Sequence, residues 1–303
     1  MSIQRYLVHL AYIGTPFRGS QRQIKGGTPR QHDPTTIQGM MEMGLQYLNP
    51  ISDTIVFMAS RTDAGVHALN TTCHFDLHRP VESVYEPNQL TYRLNKFMAY
   101  KEVPIRILDT KLVPDDFHCR QNAVSRTYLY RLIIGRHDQE KLNSCSHFMP
   151  IEEHNRAYFH CDSYFDINSM REAANMFVGF HDFRTFMGKV RDNDRLTRRE
   201  ISSIEIIERS KSEVGVAPSF SWPKIAIRNS GEESHSIVDI YFKGKGFLYK
   251  QVRRTAGTLL SAAVGRITLR DIKFMLEIPS KHSWIPKIRS LPGYGLYLCE
   301  IEY

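Results

Sequence analysis

One order of segments occurs twice along this chain, and it limits the fold more than any single residue does. Residues 4–13 form an apolar run that stops at the Gly14-Thr15-Pro16 turn. Ile37, Met40, Met41, Gly44, Leu45 and Leu48 then recur at i, i+3, i+4, i+7, i+8 and i+11. That spacing predicts a core-facing helix capped by Thr35 or Thr36. Strands are predicted over 54–59 and 67–77, a helix over Pro87–Asn95 and a strand over Val103–Leu108. The order is β-α-β-β-α-β, a ferredoxin-like plan.

The plan restarts after residue 113. A strand predicted over 124–134 puts Tyr128, Tyr130, Leu132 and Ile134 on one face. Asn168 or Ser169 opens a helix with Met170, Ala173, Ala174, Phe177 and Val178 in phase, and Gly179 closes it. Strands are expected at Ile201–Ile207 and Ile237–Phe242, joined by a polar, Ser-rich hairpin excursion. A helix from Phe247 to about Val264, a shorter one over 269–277 and a strand over Gly295–Tyr303 complete the half. Residues 23–34 and 189–199 read as loops, and 135–166 is irregular. The expected fold class is therefore α+β. Two ferredoxin-like halves, residues 1–113 and 114–303, are expected in a pseudo-twofold arrangement, their antiparallel sheets side by side or continuous around a central cleft. Such a cleft suits a nucleic acid, but a repeated plan names no reaction.

With 303 residues and 42% hydrophobic content, the chain can bury a sizeable core. No apolar run is long enough to span a membrane. Lys and Arg exceed Asp and Glu by 40 − 32 = 8. That balance suits a polyanionic partner, although many plain enzymes share it. Five cysteines, odd in number and without C-x-x-C spacing, argue against zinc and a disulfide framework and for a reducing compartment. Strand-like sequence begins at Arg5, which leaves no room for an obvious cleavable targeting segment. The expected location is intracellular, cytoplasmic or mitochondrial.

Ser60-Arg-Thr-Asp-Ala-Gly-Val-His67 lies between the apolar run Thr54–Ala59 and an alternating run with Leu69, Thr71, Cys73, Phe75 and Leu77 on one face. Arg61 and Asp63 thus sit on a short connection between strands, where scaffolds present reactive groups. The bland reading is an Asx or ST turn with Gly65 supplying positive φ. A carboxylate there stays charged if a guanidinium is near, and Arg61 and Arg253 are the candidates. Arg253 lies at the margin of the stripe Leu248, Val252, Ala256, Leu259 and Ala263, with Gly257 leaving space one turn on. Its bland reading is a snorkelling arginine. Tyr128 and Tyr130 read either as core and cross-strand pairs or as aromatics that stack on a base. Lys243, Lys245, Lys250, Arg253 and Arg254 cluster within twelve residues, and 189–199 adds further arginines and a lysine. Such runs are mostly solvated faces, but two of them with the net charge suggest phosphate contact. His9, His67, His74, His78 and His181 show no metal spacing backed by cysteine or carboxylate, so no metal is assigned.

Several separated segments resemble the TruA family of tRNA pseudouridine synthases. Tyr12–Gln21 is similar to the family's first strand and turn, Thr36-Ile-Gln-Gly39 to the start of its first helix, and Ser60–His67 to its catalytic loop. Phe117-His-Cys-Arg120 with Arg126-Thr-Tyr-Leu-Tyr130 is similar to the segment carrying the active-site tyrosine. Gly246–Arg253 is similar to the segment carrying the arginine. His181-Asp-Phe183 and Gly295–Leu298 also fit. Ser20 departs from the pattern, standing where the family commonly has tryptophan, and the 22–34 loop is longer than usual. The eukaryotic synthase-like branch is the nearest in pattern.

The resemblance implies isomerisation of uridine to pseudouridine in tRNA or a tRNA-like fold. It implies Asp63 as nucleophile, Tyr128 as the group stacked on the flipped uracil, and Arg253 as the partner keeping Asp63 ionised. Arg61, His67, Arg126, Lys245, Lys250 and Arg254 are the expected RNA contacts, with Arg61 helping to extrude the nucleotide. No cofactor is expected, and the family's homodimer is a further implication. Two other readings remain: a tandem RNA-recognition module without chemistry, and a non-catalytic RNA chaperone. An RNA-recognition module carries aromatic residues on its third strand, where this chain has Ala68-Leu-Asn-Thr-Thr-Cys-His-Phe75.

Overall fold

The computed structural model describes residues 2–22, 24–25, 28–29, 32–50, 54–79, 85–136, 151–189, 196–209 and 235–303. Parts of the expected 23–34 and 189–199 loops, residues 137–150 and the Ser-rich 210–234 stretch lie outside them. In chain order the elements begin with β1 (Ser2–Tyr12), β2 (Ile24–Lys25), β3 (Thr28–Pro29), α1 (Ile37–Gln46), β4 (Phe57–Met58), β5 (His67–Arg79), α2 (Pro87–Tyr100) and β6 (Ile105–Val113). Next come β7 (Ser125–Arg136), β8 (Tyr158–Asp162), α3 (Ile167–Asn175), β9 (Gly179–Asp182), β10 (Arg198–Ile201), β11 (Ser203–Arg209) and β12 (His235–Gly244). The chain closes with α4 (Gln251–Ala263), α5 (Leu269–Glu277) and β13 (Leu296–Glu302). It is a mixed α and β fold, mostly antiparallel, in two compact units: Met1–Arg126 with Tyr297–Tyr303, and Thr127–Leu296.

In the first unit β1 pairs antiparallel with β5 on one side and β6 on the other. β4 pairs antiparallel and β13 parallel with β5. Leaving aside the two-residue ladder of β2 with β3, the order from β1 to β6 is β-α-β-β-α-β. Alternate residues Tyr6, Val8 and Leu10 of β1 are fully buried and lie opposite Phe75, Cys73 and Thr71. Ile37, Met41 and Leu45 of α1 and Leu90, Leu94 and Met98 of α2 join them in the core. Thr36 caps α1, its hydroxyl accepting from the amide of Gly39 at 3.1 Å. Buried polar residues of α1 then tether the strand that leads to the 60–67 turn: Gln38 Nε2 donates to the Val56 carbonyl at 2.8 Å, and the Val56 amide donates to Glu42 Oε1 at 3.3 Å.

β5 departs from simple alternation. Leu69 is 52% exposed, whereas Thr72 and His74, expected on the other face, are buried. Neighbours from distant sequence cover that second face: the Phe57 ring stacks on His74 with centroids 5.0 Å apart.

In the second unit β11 and β12 form the expected antiparallel hairpin, and β8 runs parallel to β7. Ile133, Ala157 and Ile237 pack with Phe159. Fully buried Asp239 is held by Arg131 at 2.9 Å and Arg209 at 2.5 Å. Removing either arginine would leave part of a buried charge uncompensated, which is strongly destabilising. Several sequence expectations shift here. Asp166, rather than Asn168 or Ser169, caps α3, accepting from both of their amides. The helix stops at Asn175, before Gly179, which with φ of +106° opens β9 instead. The strand expected at 201–207 is two strands broken at Ser202. Among the described residues, Cys73, Cys119 and Cys299 are free thiols.

Candidate active site

Asp63 opens a tight turn between β4 and β5. Its carbonyl accepts from the amide of Val66 at 3.2 Å, and Gly65 has φ of +77° at the third position, as a type II turn requires. Asp63 is half-buried and Arg61 exposed. Around this turn the chain is held from behind by residues 12–20. The Thr62 amide donates to Ser20 Oγ at 2.8 Å, and the Ser20 amide donates to the Thr62 carbonyl at 3.1 Å. Ser20 Oγ also donates to the Ser60 carbonyl at 3.4 Å, and Tyr12 Oη lies 2.7 Å from Thr62 Oγ1. Gly14 must be glycine, because a Cβ there would meet the Val66 carbonyl oxygen at 1.9 Å.

His67 and Arg126 were expected at RNA, yet both side chains are engaged within the first unit. His67 is 1% exposed, with its ring stacked on Tyr297 at 4.7 Å. Its Nδ1 accepts from the Gly14 amide at 3.1 Å, which puts the proton of the neutral ring on Nε2. Arg126 is 9% exposed, and its Nη2 donates to the carbonyls of Ala59 and Arg120, each at 3.1 Å. It therefore joins the base of the Asp63 turn to the 117–120 segment.

In the second unit Tyr128 is buried on β7, its ring edge-on to Phe247 with centroids 5.3 Å apart. Tyr130 lies deeper, donating to the Pro292 carbonyl at 2.8 Å, and burial pushes its phenol well above the ordinary range. The base-stacking alternative for Tyr130 is thereby removed. The helix expected from Phe247 starts only at Gln251, because Lys250 adopts φ of +59° and breaks the helical path. Gln251 Oε1 instead accepts from the Leu248 amide at 2.8 Å. Lys245 is exposed, and Lys250 Nζ lies 5.3 Å from the centre of the Tyr249 ring.

Arg253 lies half-buried in the first turn of α4, its Nε donating to the Leu291 carbonyl at 2.7 Å. Arg254 differs from the expectation of an RNA contact. Its Nη1 donates to the carbonyls of Thr185 at 3.0 Å and Met187 at 2.5 Å, and its guanidinium stacks 4.2 Å over Trp284. Burial pushes its pKa down from the ordinary value. Gly257 leaves no empty space beside Arg253: a Cβ would come within 2.1 Å of the Arg289 carbonyl oxygen.

Among the described residues, His74, His118 and Cys119 have ligand-type atoms within 4.8 Å of one another. Spacing in sequence gave no sign of this group, since His74 and Cys119 are 45 residues apart. Cys119 Sγ lies 3.0 Å from His74 Nδ1 and 3.2 Å from the Phe57 carbonyl. Burial pushes the thiol up to about 12 and the imidazole down to about 4, with neighbouring His118 adding to the latter. Both groups are neutral near pH 7, so a thiol–imidazole hydrogen bond accounts for their closeness. Sequence reasoning also passed over Tyr12 and Gly14; Ser20 gave a signal only as a departure from the family pattern.

Comparison with known proteins adds four findings. Residues 173–303 match the family described as tRNA pseudouridine synthase. The chain is 31% identical to human tRNA pseudouridine synthase-like 1, over 99% of this chain and 90% of that protein. It is 32% identical to the mouse protein of the same name, over 99% and 94%. It is also 30% identical to tRNA pseudouridine synthase A of Ruegeria sp. (strain TM1040), over 99% of this chain and 95% of that protein.

Proposed function

Since the chain belongs to the tRNA pseudouridine synthase family, we propose that it isomerises uridine to pseudouridine in tRNA, with the Asp63 carboxylate as nucleophile. The observation that carries this reading is the placement of Asp63 at the head of a braced turn between two strands, in the segment that resembles the family's catalytic loop.

Asp63 attacks the uracil ring or C1′ of the ribose. The C1′–N1 bond breaks, the base turns, a C1′–C5 bond forms, the bond to Asp63 is released, the C5 proton leaves and N1 takes up a proton. Atoms balance as an isomerisation, so no co-reactant is consumed. Tyr128 stacks on the uracil and helps remove that proton. Arg253 supplies the positive charge that keeps the carboxylate ionised. Arg61, Lys245 and Lys250 contact the RNA, offsetting the few kcal/mol needed to unstack a base. His67, Arg126 and Arg254 support the reaction by holding backbone segments rather than phosphates.

At the level of fold, we read the two halves, 1–113 and 114–303, as ferredoxin-like plans in pseudo-twofold relation around a central sheet with an RNA cleft. The β-α-β-β-α-β order of the first unit supports it. The homodimer implied by the resemblance belongs to the same reading. Among the described residues no helix is long and apolar enough to cross a membrane.

The decisive experiment incubates the full chain and Asp63→Asn with unmodified tRNA transcripts and maps pseudouridine. Wild type forms it; the variant binds the transcripts and forms none. Undiminished conversion by Asp63→Asn would refute the assignment. An RNA reader without chemistry predicts no conversion by either protein.

A further inference from the structure

The residue preceding the proposed nucleophile has every polar group engaged. The Thr62 amide goes to Ser20 Oγ, its carbonyl takes the Ser20 amide, and its hydroxyl meets Tyr12 Oη. One fully buried side chain, Ser20, also reaches the carbonyl of Ser60, so it grips the loop on both sides of Arg61. Beyond Asp63 the chain is pinned again, by the bond from the Val66 amide to the Asp63 carbonyl. The backbone before the carboxylate is therefore fixed by partners some forty to fifty residues earlier, and the backbone after it by a local turn bond.

Gly19 makes this grip feasible. With φ of +121° it brings the Ser20 amide under the loop, and a Cβ at Gly19 would sit 3.0 Å from the Thr62 carbonyl oxygen. Ser20 is itself anchored, because its carbonyl accepts from the Gln38 amide in the first turn of α1 at 2.9 Å. Asp63 is thus referenced to a helix N-terminus through two short links rather than left on a free loop.

We propose that Ser20, seconded by Tyr12, is a positioning residue that sets the direction of Asp63 by clamping Thr62 and Ser60. The inference rests on Asp63 being the nucleophile. Ser20 does not touch substrate; it acts through the loop. Tryptophan cannot make this clamp, since an indole has no acceptor for the Thr62 amide. The clamp is therefore a device of this chain at the position where it departs from the family pattern.

The test compares wild type, Ser20→Ala and Tyr12→Phe as full chains on unmodified tRNA transcripts. Single-turnover rate, transcript Kd and melting temperature are measured, with Asp63→Asn alongside. Misplacing a reacting group by about 1 Å costs on the order of 100-fold, so Ser20→Ala should lose about 10- to 100-fold in rate. Its transcript Kd should stay within about twofold of wild type, and the pH–rate curve should keep its acid limb while the plateau falls. Tyr12→Phe, which keeps the ring, should show a smaller loss of the same kind and covers the case in which Ser20→Ala does not fold. A wild-type rate in the folded variants, or a loss matched by weaker binding, overturns the clamp. If Asp63→Asn is inactive while Ser20→Ala turns over normally, only the positioning role fails. If Asp63→Asn is active, the functional reading itself fails.

Discussion

Arg253 and Leu291 exchange two hydrogen bonds. Arg253 Nε donates to the Leu291 carbonyl at 2.7 Å, and the Leu291 amide donates to the Arg253 carbonyl at 3.3 Å. The first bond fixes the plane of the guanidinium, and the second fixes the loop against α4. The side chain proposed to supply charge to Asp63 is here also a brace.

Arg253→Lys separates those two uses. Lysine keeps the charge but has no Nε–H in a planar fork. Losing the bond to Leu291 should cost about 1.5–3 kcal/mol of stability, read from urea denaturation. If orientation matters as proposed, the single-turnover rate falls at least about tenfold, equivalent to about 1.4 kcal/mol of barrier. A wild-type rate would mean that charge alone suffices.

Gly257→Ala should destabilise the second unit. The added Cβ meets a backbone oxygen at 2.1 Å, and no flexible side chain is there to swing aside. Overpacking of this kind costs about 1–3 kcal/mol or more, above the roughly 1 kcal/mol that alanine gains in helix propensity. Gly246→Ala is the control: nothing lies within 4 Å of its Cβ, so its midpoint should move by less than about 0.5 kcal/mol.

Arg254→Met distinguishes a brace from a phosphate contact. Two carbonyls and the Trp284 ring lose their cation, so thermal stability falls. The slope of log K for tRNA against log salt should be unchanged. A phosphate contact would instead lower that slope by roughly 0.7–0.9.

Stability should decline on mild acidification through His74. Its folded pKa of about 4 lies below the ordinary 6.5, chiefly because burial penalises the charged ring. Between those values the unfolded chain binds more protons. The contribution is therefore full above pH 6.5 and is lost as pH falls towards 4, by roughly 3 kcal/mol. Asp76, held below its ordinary pKa chiefly by its hydrogen bond from Arg5, loses its contribution only below about 3.8, so the windows separate. In urea titrations His74→Asn should flatten the profile from pH 6.5 to 4.5; an unchanged slope would assign the effect elsewhere.

Much of this protein was written locally. The Thr36 cap, the positive φ of Gly65 and the strand–turn–strand around Asp63 depend on neighbours within a few residues, and sequence periodicity and turn chemistry report such neighbours directly. The roles of basic residues were not written that way. Arg61 and Arg126 look alike in sequence, yet one is exposed and the other spends its guanidinium on Ala59 and Arg120. His67, Arg254 and the His74–Cys119 pair follow the same rule. Burial and hydrogen-bond partners come from segments tens of residues away, and only the folded chain brings those segments together. Ser20 makes the point most sharply: its sequence shows a small polar residue, and its meaning comes from Thr62, 42 positions later.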